Sequence, residues 1–225
     1  MVSPPRVLAI DVSGPGGGAA LLGPFGIDVE RVPPAVRRGR DLVPAIARLL
    51  AARGLEPKDL DLVACGVGPG SFTGIRIGIA TAAALAYAAR LPVLDVGSLD
   101  GIAENAPATA ERVVVLLDAR QGRVFRGRFR REGEILVAEG AYDAPTAEEA
   151  LAAIPKGAFV LGDARGMGAA EAPVRPDVIA RIAAARFAAG ERKRPEELRP
   201  LYLRLSDPEI RRSGTMHAPP HAPLS

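Results

Sequence analysis

Cysteine and histidine are almost absent from this chain of 225 residues, which limits the chemistry it could perform. The single cysteine, Cys65, excludes an internal disulfide framework and is typical of a reducing compartment. The two histidines, His217 and His221, both lie in the proline-rich final stretch. A metal site of Cys and His ligands is therefore excluded from the folded part, as are Ser–His and Cys–His nucleophiles. An all-carboxylate magnesium site stays open, because it needs only one or two aspartates and a phosphate.

Long uncharged hydrophobic runs are also missing. No stretch of about 18 or more apolar residues lacks a charge, so the sequence predicts no membrane span. The first residues show no charged leader followed by an apolar segment, so no signal peptide is expected. Together with the cysteine content, these absences predict a cytoplasmic protein.

Lysine is scarce as well, because only Lys58, Lys156 and Lys193 are present and arginine supplies most of the positive charge. The formal net charge of +3 says little about partners. The densest basic run, RVFRGRFRRE at residues 123–132, is predicted to be a strand with solvated charges. The alternative, a nucleic-acid surface that includes Arg126, Arg128 and Arg130, stays open.

The first half of the chain reads as strands followed by alternating helices and strands. The stretch RVLAIDVS is predicted to be a strand that ends at Asp11. The glycine-rich GPGGG then turns the chain, and two more strands are predicted after it. A helix is predicted over residues 40–54, with Pro44 in its first turn and a closing glycine. A second helix is predicted over residues 74–89, with Thr73 as its N-cap.

The second half repeats this pattern. RVVVLLDA ends a strand on Asp118, RQG turns the chain, and a strand returns. Asp11 and Asp118 thus occupy equivalent places in two units, which indicates an internal duplication and a mixed α/β fold. We expect one subdomain over residues 1–97 and a second over residues 98–176. The late helix and extended segment, residues 177–205, are expected to pack back on the first, and residues 206–225 to be a disordered tail.

The stretch GVGPGSFTG before the second helix looks like a phosphate loop but has no lysine. Glycines before a helix N-terminus can present N–H groups to an anion. A P-loop, however, ends in Gly-Lys-Ser/Thr, and here Thr73, Gly74 and Ile75 stand instead. The favoured interpretation is structural: glycine permits a tight turn and Pro69 stiffens it.

Asp11 and Asp118 are the candidate catalytic carboxylates. In one interpretation they hold a metal or polarise water beside nucleotide phosphates. In the favoured alternative, each carboxylate accepts backbone N–H bonds from its own turn. No third residue offers itself as a partner acid or base.

Both helices of the first half are apolar around most of their circumference, although a helix on a sheet needs only one apolar stripe. Such an excess predicts that another subunit covers them. The alternative is that alanine-rich helices reflect composition and propensity. The residues predicted to form the partner interface are Leu42, Ile46, Leu49, Leu50, Gly74, Gly78, Ala82 and Leu85.

Taken together, GPGSFTGIRIGIATAAALA, LPVLDVGSLDGIA and VVVLLDARQGRVF resemble the bacterial TsaB (YeaZ) family. The likeness extends to VLAIDVS, RDLVPAIARLL and LRPLYLR, and covers roughly residues 6 to 205. It implies a duplicated actin-like/hexokinase-like (ASKHA) fold with two α/β subdomains, the second of them reduced. Arg40 stands where many relatives have a histidine, which weakens any role for that position.

The resemblance also implies a function. Members of the family are partners of TsaD, which transfers the threonylcarbamoyl group to adenosine 37 of ANN-decoding tRNAs, and the ATPase TsaE joins the pair. Relatives of TsaD bind the catalytic metal with a His-x-x-x-His pair, and Ser98 and Ile102 occupy those two places here.

We therefore expect a non-catalytic scaffold without a cofactor of its own, ATP and magnesium being used by the complex. It would pair with TsaD, meet tRNA through the complex and form a homodimer when alone. Asp11, Ser13 and Asp118 would be a vestigial nucleotide site. The alternative is an active small-molecule kinase or ATPase that uses Asp11 and Asp118 with magnesium.

Overall fold

The computed structural model describes residues 3–33, 38–163 and 169–203. The predicted tail, with both histidines, lies outside the described residues. Nine strands and five helices are described in this part of the chain. The strands are β1 (Val7–Asp11), β2 (Gly18–Gly23), β3 (Gly26–Arg31), β4 (Leu62–Gly66), β5 (Val93–Val96), β6 (Arg112–Arg120), β7 (Arg123–Glu132), β8 (Ile135–Ala138) and β9 (Phe159–Gly162). The helices are α1 (Arg38–Ala52), α2 (Phe72–Ala89), α3 (Ser98–Ala103), α4 (Ala147–Ala152) and α5 (Pro176–Ala188).

The strands form two sheets with related topology. The first has the order β3-β2-β1-β4-β5, with β1, β2 and β3 antiparallel and with β4 and β5 parallel to β1. The second has the order β8-β7-β6-β9, again an antiparallel meander with one parallel strand beside its first member. The second sheet thus repeats the first with one parallel strand fewer. The predicted mixed α/β fold with a duplicated, reduced second half is confirmed.

The central strands β1 and β4 of the first sheet are apolar and are buried on both faces. Leu8 and Ile10 of β1 point to the face that α1 and α2 cover. Val7 and Ala9, which alternate with them, point to the opposite face and pack against α5. A parallel sheet buried on both faces reads as a continuous hydrophobic run, which explains why β1 and β4 show no polar alternation.

The late helix α5 returns to the first sheet, although it follows the second sheet in the chain. After it, the extended segment 193–203 (the C-terminal strap) continues along the first half. Lys193 pairs with Val93 at the edge of the first sheet through two backbone hydrogen bonds, and Leu198 is buried beside α1 and α2. The strap therefore adds to the same core that α1 and α2 cover.

Two local predictions about the helices are wrong. The N-cap of α2 is Ser71 rather than Thr73, since the Ser71 hydroxyl accepts a hydrogen bond from the Gly74 N–H. The first helix begins at Arg38, so Pro44 lies inside it rather than in its first turn. The side chain of Pro44 is exposed there.

Candidate functional site

Three backbone N–H groups of the glycine-rich loop between β4 and α2 donate hydrogen bonds to other parts of the chain. The Val67 N–H donates to the Val96 carbonyl at 3.0 Å, and the Gly68 N–H donates to the Ser98 hydroxyl at 3.0 Å. The Ser71 N–H donates to the Ser13 carbonyl at 2.7 Å. These three N–H groups are therefore not available to a phosphate, which supports the structural interpretation of the loop.

The neighbours of the loop also hold its carbonyl groups. Val67 accepts a hydrogen bond from the Leu201 N–H of the C-terminal strap at 2.9 Å. Gly68 has a positive φ of 100° and accepts a hydrogen bond from the Ser98 N–H at 2.8 Å. Glycine is needed at position 68 because other residues rarely adopt this backbone conformation. The loop thus links β5, α3 and the strap at the end of the first sheet.

Asp11 is fully buried at the end of β1. Its Oδ1 accepts a hydrogen bond from the Ser13 N–H at 2.9 Å, as predicted for a carboxylate that closes its own turn. The Ser13 hydroxyl is also buried, and no hydrogen-bond partner for it occurs among the described residues.

Asp118 makes the same local hydrogen bond in the second half. Its Oδ1 accepts from the Arg120 N–H at 2.7 Å, while its own N–H donates to Asp163. Asp118 is exposed, whereas Asp11 is buried. Asp11 is the last residue of β1, whereas Asp118 lies two residues before the end of β6, and each carboxylate accepts a hydrogen bond from the residue two positions later. This arrangement does not favour the kinase alternative, and the vestigial nucleotide site stays a prediction.

Ser98 and Ile102, at the places of the metal-binding histidines in the relatives of TsaD, have structural contacts in α3. The Ser98 hydroxyl accepts from the glycine-rich loop, and Ile102 is buried in the core of the second half. No group of three or more His, Cys, Asp or Glu side chains suited to a metal ion occurs in the described ranges. Neither Ser98 nor Ile102 therefore lies in such a group of side chains.

Cys65 is buried in β4, with its side chain in the core under α1 and α2. Burial raises the pKa of its thiol well above the ordinary value, and the negative charges of Asp11 and Asp95 raise it further. A thiol held in its neutral form behaves as a small hydrophobic side chain.

The predicted interface residues of α1 lie on its inner face. Leu42, Ile46, Leu49 and Leu50 are all buried in the core of the first half, where α1 packs on strands β2 and β3. In this structure they are therefore covered by their own chain. They mark the stripe that a helix needs to pack on a sheet, and the accessible part of α1 is the opposite face.

The predicted interface residues of α2 show the same pattern. Gly74, Gly78 and Ala82 are buried, and Leu85 is partly buried against the same core. A Cβ at Gly78 would make ordinary contacts with Val12 and Cys65, so the small residues of α2 face the sheet. Close approach of α2 to its own sheet accounts for them.

Both helices nevertheless expose apolar residues, beside the exposed Arg48 of α1 and Arg76 of α2. We call these residues the outer helix face: Val43, Pro44, Ala47 and Ala51 of α1, and Ala80, Ala84, Tyr87 and Ala88 of α2. Val43 is 58% exposed and Tyr87 is 77% exposed. Since α1 and α2 contact each other, the two exposed apolar strips belong to neighbouring helices. The sequence signal for this surface is the lack of a polar side, whereas the predicted interface residues lie on the inner faces of the same helices.

Helix α2 is long and apolar enough, by length and composition, to match a membrane-spanning helix. It carries Arg76, and it packs on β4 and β1 of the first sheet. A helix that covers the core of its own chain passes the same test. The match is therefore weak, and the packing of α2 explains its composition.

Known proteins resemble this chain in both sequence and structure. Residues 33–165 match the family model described as TsaD, tRNA N6-adenosine threonylcarbamoyltransferase. An uncharacterized protein of Mycobacterium tuberculosis is 35% identical over 208 residues, which cover 89% of this chain and 92% of the relative. The tRNA threonylcarbamoyladenosine biosynthesis protein TsaB of Escherichia coli is 33% identical over 129 residues, 56% of each chain.

A solved structure supports the same relationship. The structure of YeaZ from Pseudomonas aeruginosa aligns with a TM-score of 0.74 at 27% identity, covering 87% of this chain and 100% of that chain. Its likeness therefore includes both sheets and is not confined to the glycine-rich loop. The chain belongs to the TsaB (YeaZ) family and has the duplicated actin-like fold that the sequence predicted.

Proposed function

We propose that this protein is a non-catalytic subunit of the cytoplasmic machinery that makes threonylcarbamoyladenosine on tRNA. Its role is to pair with a TsaD-type transferase, whose active site performs the chemistry on adenosine 37. The names of its relatives place them in this biosynthesis. A TsaE-type ATPase would join the assembled pair, and tRNA would bind to the complex.

The outer helix face is the observation that carries this proposal. Val43 and Tyr87 expose large apolar side chains, and the alanines between them leave room for a partner helix to approach. A stable complex buries about 800 Å² on each partner, an area that two neighbouring helices can supply. In the absence of the transferase, a second copy of the chain would cover the same face and form a homodimer.

The non-catalytic role has separate support. Ser98 and Ile102 contribute to the fold, and the glycine-rich loop uses three N–H groups for internal contacts. Asp11 and Asp118 each close their own turn. The candidate catalytic and metal-binding positions thus already have structural roles.

Co-purification with the TsaD-type protein of the same organism tests the pairing. Val43→Glu and Ala84→Arg place charge on the outer helix face, and each is expected to abolish pairing because a charge would be buried unpaired. Ala185→Arg is the matched control, since Ala185 is an exposed alanine on α5. Leu49→Arg is unsuitable, because a buried side chain would be changed.

Thermal unfolding of each variant must match that of the parent chain for the result to count. Retained pairing in both Val43→Glu and Ala84→Arg would refute the proposed surface. Lost pairing in Ala185→Arg would show that any added arginine disturbs the complex, which would also contradict the assignment.

A further inference from the structure

The second sheet is covered unevenly on its outer side. Its inner side packs against α3, where Val113, Val115 and Phe129 are buried. On the outer side, α4 covers Val114 and Leu116 through a small cluster with Ala150. The outer side thus has a covered part beside α4 and a part that the described elements leave open.

Arginines line this outer side. Side chains alternate along a strand, so Arg126, Arg128 and Arg130 of β7 lie on the same side as the Val114 and Leu116 that face them in register. Arg112 of β6 stands directly opposite Arg130. Four guanidinium groups therefore share one side of a two-stranded surface.

Carboxylates neutralise two of these arginines. Arg126 makes two hydrogen bonds to Asp143, at 3.0 Å and 2.6 Å, and its side chain is only 11% exposed. Arg130 pairs with Glu132 and Glu139. The predicted basic run therefore presents less charge to a partner than its sequence indicates.

Arg112 and Arg128 differ from the other two. Within the ranges that the structure describes, neither side chain has an ion pair or a hydrogen bond, and both are at least partly exposed. Arg112 stands opposite Arg130, whose own charge is already paired with Glu132 and Glu139. An external anion can therefore pair with Arg112 and Arg128 without displacing a carboxylate of the described part of the chain.

We propose that Arg112 and Arg128 bind the phosphate backbone of the tRNA on which the complex acts. The identity of the nucleic acid rests on the proposed function, whereas the location rests on the sheet. Arginine suits this contact because its planar fork donates two parallel hydrogen bonds to a phosphate. Such contacts orient the RNA without reading its sequence.

Salt-dependent tRNA binding tests this assignment. Binding of a transcribed tRNA is measured for the chain alone and for the chain reconstituted with its TsaD-type partner, over a series of salt concentrations. Each phosphate contact adds about 0.7 to 0.9 to the slope of log K against log salt. Arg112→Gln and Arg128→Gln are each expected to reduce the slope by that amount. Arg181→Gln, at an exposed arginine of α5, is the matched control and should leave the slope unchanged.

The outcomes separate this proposal from the proposed function. Unchanged slopes in Arg112→Gln and Arg128→Gln, or no tRNA binding by either preparation, would overturn the RNA contact while co-purification remained intact. Loss of co-purification in these two variants would also overturn it, by showing that the arginines contact a protein; the exposed Ile135 and Val137 lie on the same side. Reduced slopes in both variants of the chain alone, when the parent chain itself does not co-purify with the TsaD-type protein, would support the RNA contact and count against the proposed pairing.

Discussion

Gly66 lies directly against the carboxyl group of Asp11, so close that a Cβ at position 66 would overlap the carboxyl carbon. The contact joins the ends of β1 and β4, which are adjacent parallel strands. It explains why the glycine-rich stretch begins inside the strand, before any turn. The glycine serves the approach of a buried carboxylate to the neighbouring strand.

Gly66→Ala is expected to destabilise the fold by about 1–3 kcal/mol, because the methyl group must displace Asp11 or the strand. Gly78→Ala is the matched control: its Cβ would find only ordinary contacts, and alanine in a helix interior is favoured over glycine by about 1 kcal/mol. Urea unfolding of both variants measures the difference. Equal stabilities would contradict the close approach.

The strap is held to the first sheet by an ion pair between Lys193 Nζ and Asp95 Oδ1 at 2.7 Å. Asp95 is nearly buried, so Lys193→Met is expected to cost about 3 kcal/mol by leaving its carboxylate without this partner. The double variant Asp95→Asn, Lys193→Met should recover part of the loss. Lys58→Met, which removes an exposed ion pair with Glu56, should leave the free energy of unfolding unchanged within experimental error. A double-mutant cycle with no coupling would refute the pair.

Tyr202 fastens the end of the strap to the first turn of α2. Its ring stacks on Phe72 with centroids 4.8 Å apart, and its hydroxyl accepts a hydrogen bond from Arg76 Nε at 2.9 Å. Tyr202→Ala is expected to lose about 0.5–1.5 kcal/mol from the ring pair and to speed hydrogen exchange of the Leu201 amide. Tyr87→Ala, at an exposed tyrosine, is the control and should neither lower the stability by this amount nor speed the exchange of the Leu201 amide. Unchanged exchange at Leu201 would contradict a fastening role.

Asp100 should make stability depend on pH. Burial raises the pKa of Asp100 above its ordinary 3.8, opposed by hydrogen bonds from Tyr142 and Gly97 and by the charge of Arg186. The pKa of Asp100 is therefore higher in the folded than in the unfolded chain. At a pH above the folded-state pKa, ionisation of Asp100 lowers the free energy of unfolding. This loss of stability disappears as the pH falls from the folded-state pKa to the unfolded-state pKa. Asp100→Asn is expected to stabilise the protein at neutral pH, with a gain that shrinks towards about pH 4.

Denaturant unfolding across this pH range measures the effect. Tyr142→Phe removes the hydroxyl that hydrogen bonds to Asp100, so it should widen the pH range over which stability changes. A gain for Asp100→Asn that is constant from neutral to acid pH would contradict a raised pKa.

The Cys65 thiol is expected to react with a thiol reagent only after unfolding. It is buried and burial raises its pKa, so both access and the thiolate are lacking in the folded chain. Labelling kinetics with and without denaturant measure this. Rapid labelling of the folded chain, with an unchanged circular dichroism spectrum, would contradict the burial of β4.

The strand and helix pattern could be predicted because its causes are local. Continuous apolar runs indicated β1 and β4, a repeated strand, aspartate and turn indicated the duplication, and the predicted structural hydrogen bond of Asp118 occurs within its own turn. Even here the N-cap of α2 was misplaced. Ser71 and Thr73 can both cap a helix, and the hydrogen bond from Ser71 to Ser13, far away in sequence, determines where the loop ends.

The faces of the helices depended on long-range packing. Because α2 is apolar around most of its circumference, hydrophobic periodicity alone does not indicate which side faces the sheet. Ala82 was predicted to face a partner, and in the structure it contacts the core, whereas Ala84 is exposed. The basic run shows the same limit, since Asp143 reaches Arg126 only through sheet pairing. Periodicity and turn residues can be recognised in the sequence because they depend on neighbouring residues. Burial and charge pairing depend on contacts between segments that are far apart in the sequence, so only the tertiary structure determines them.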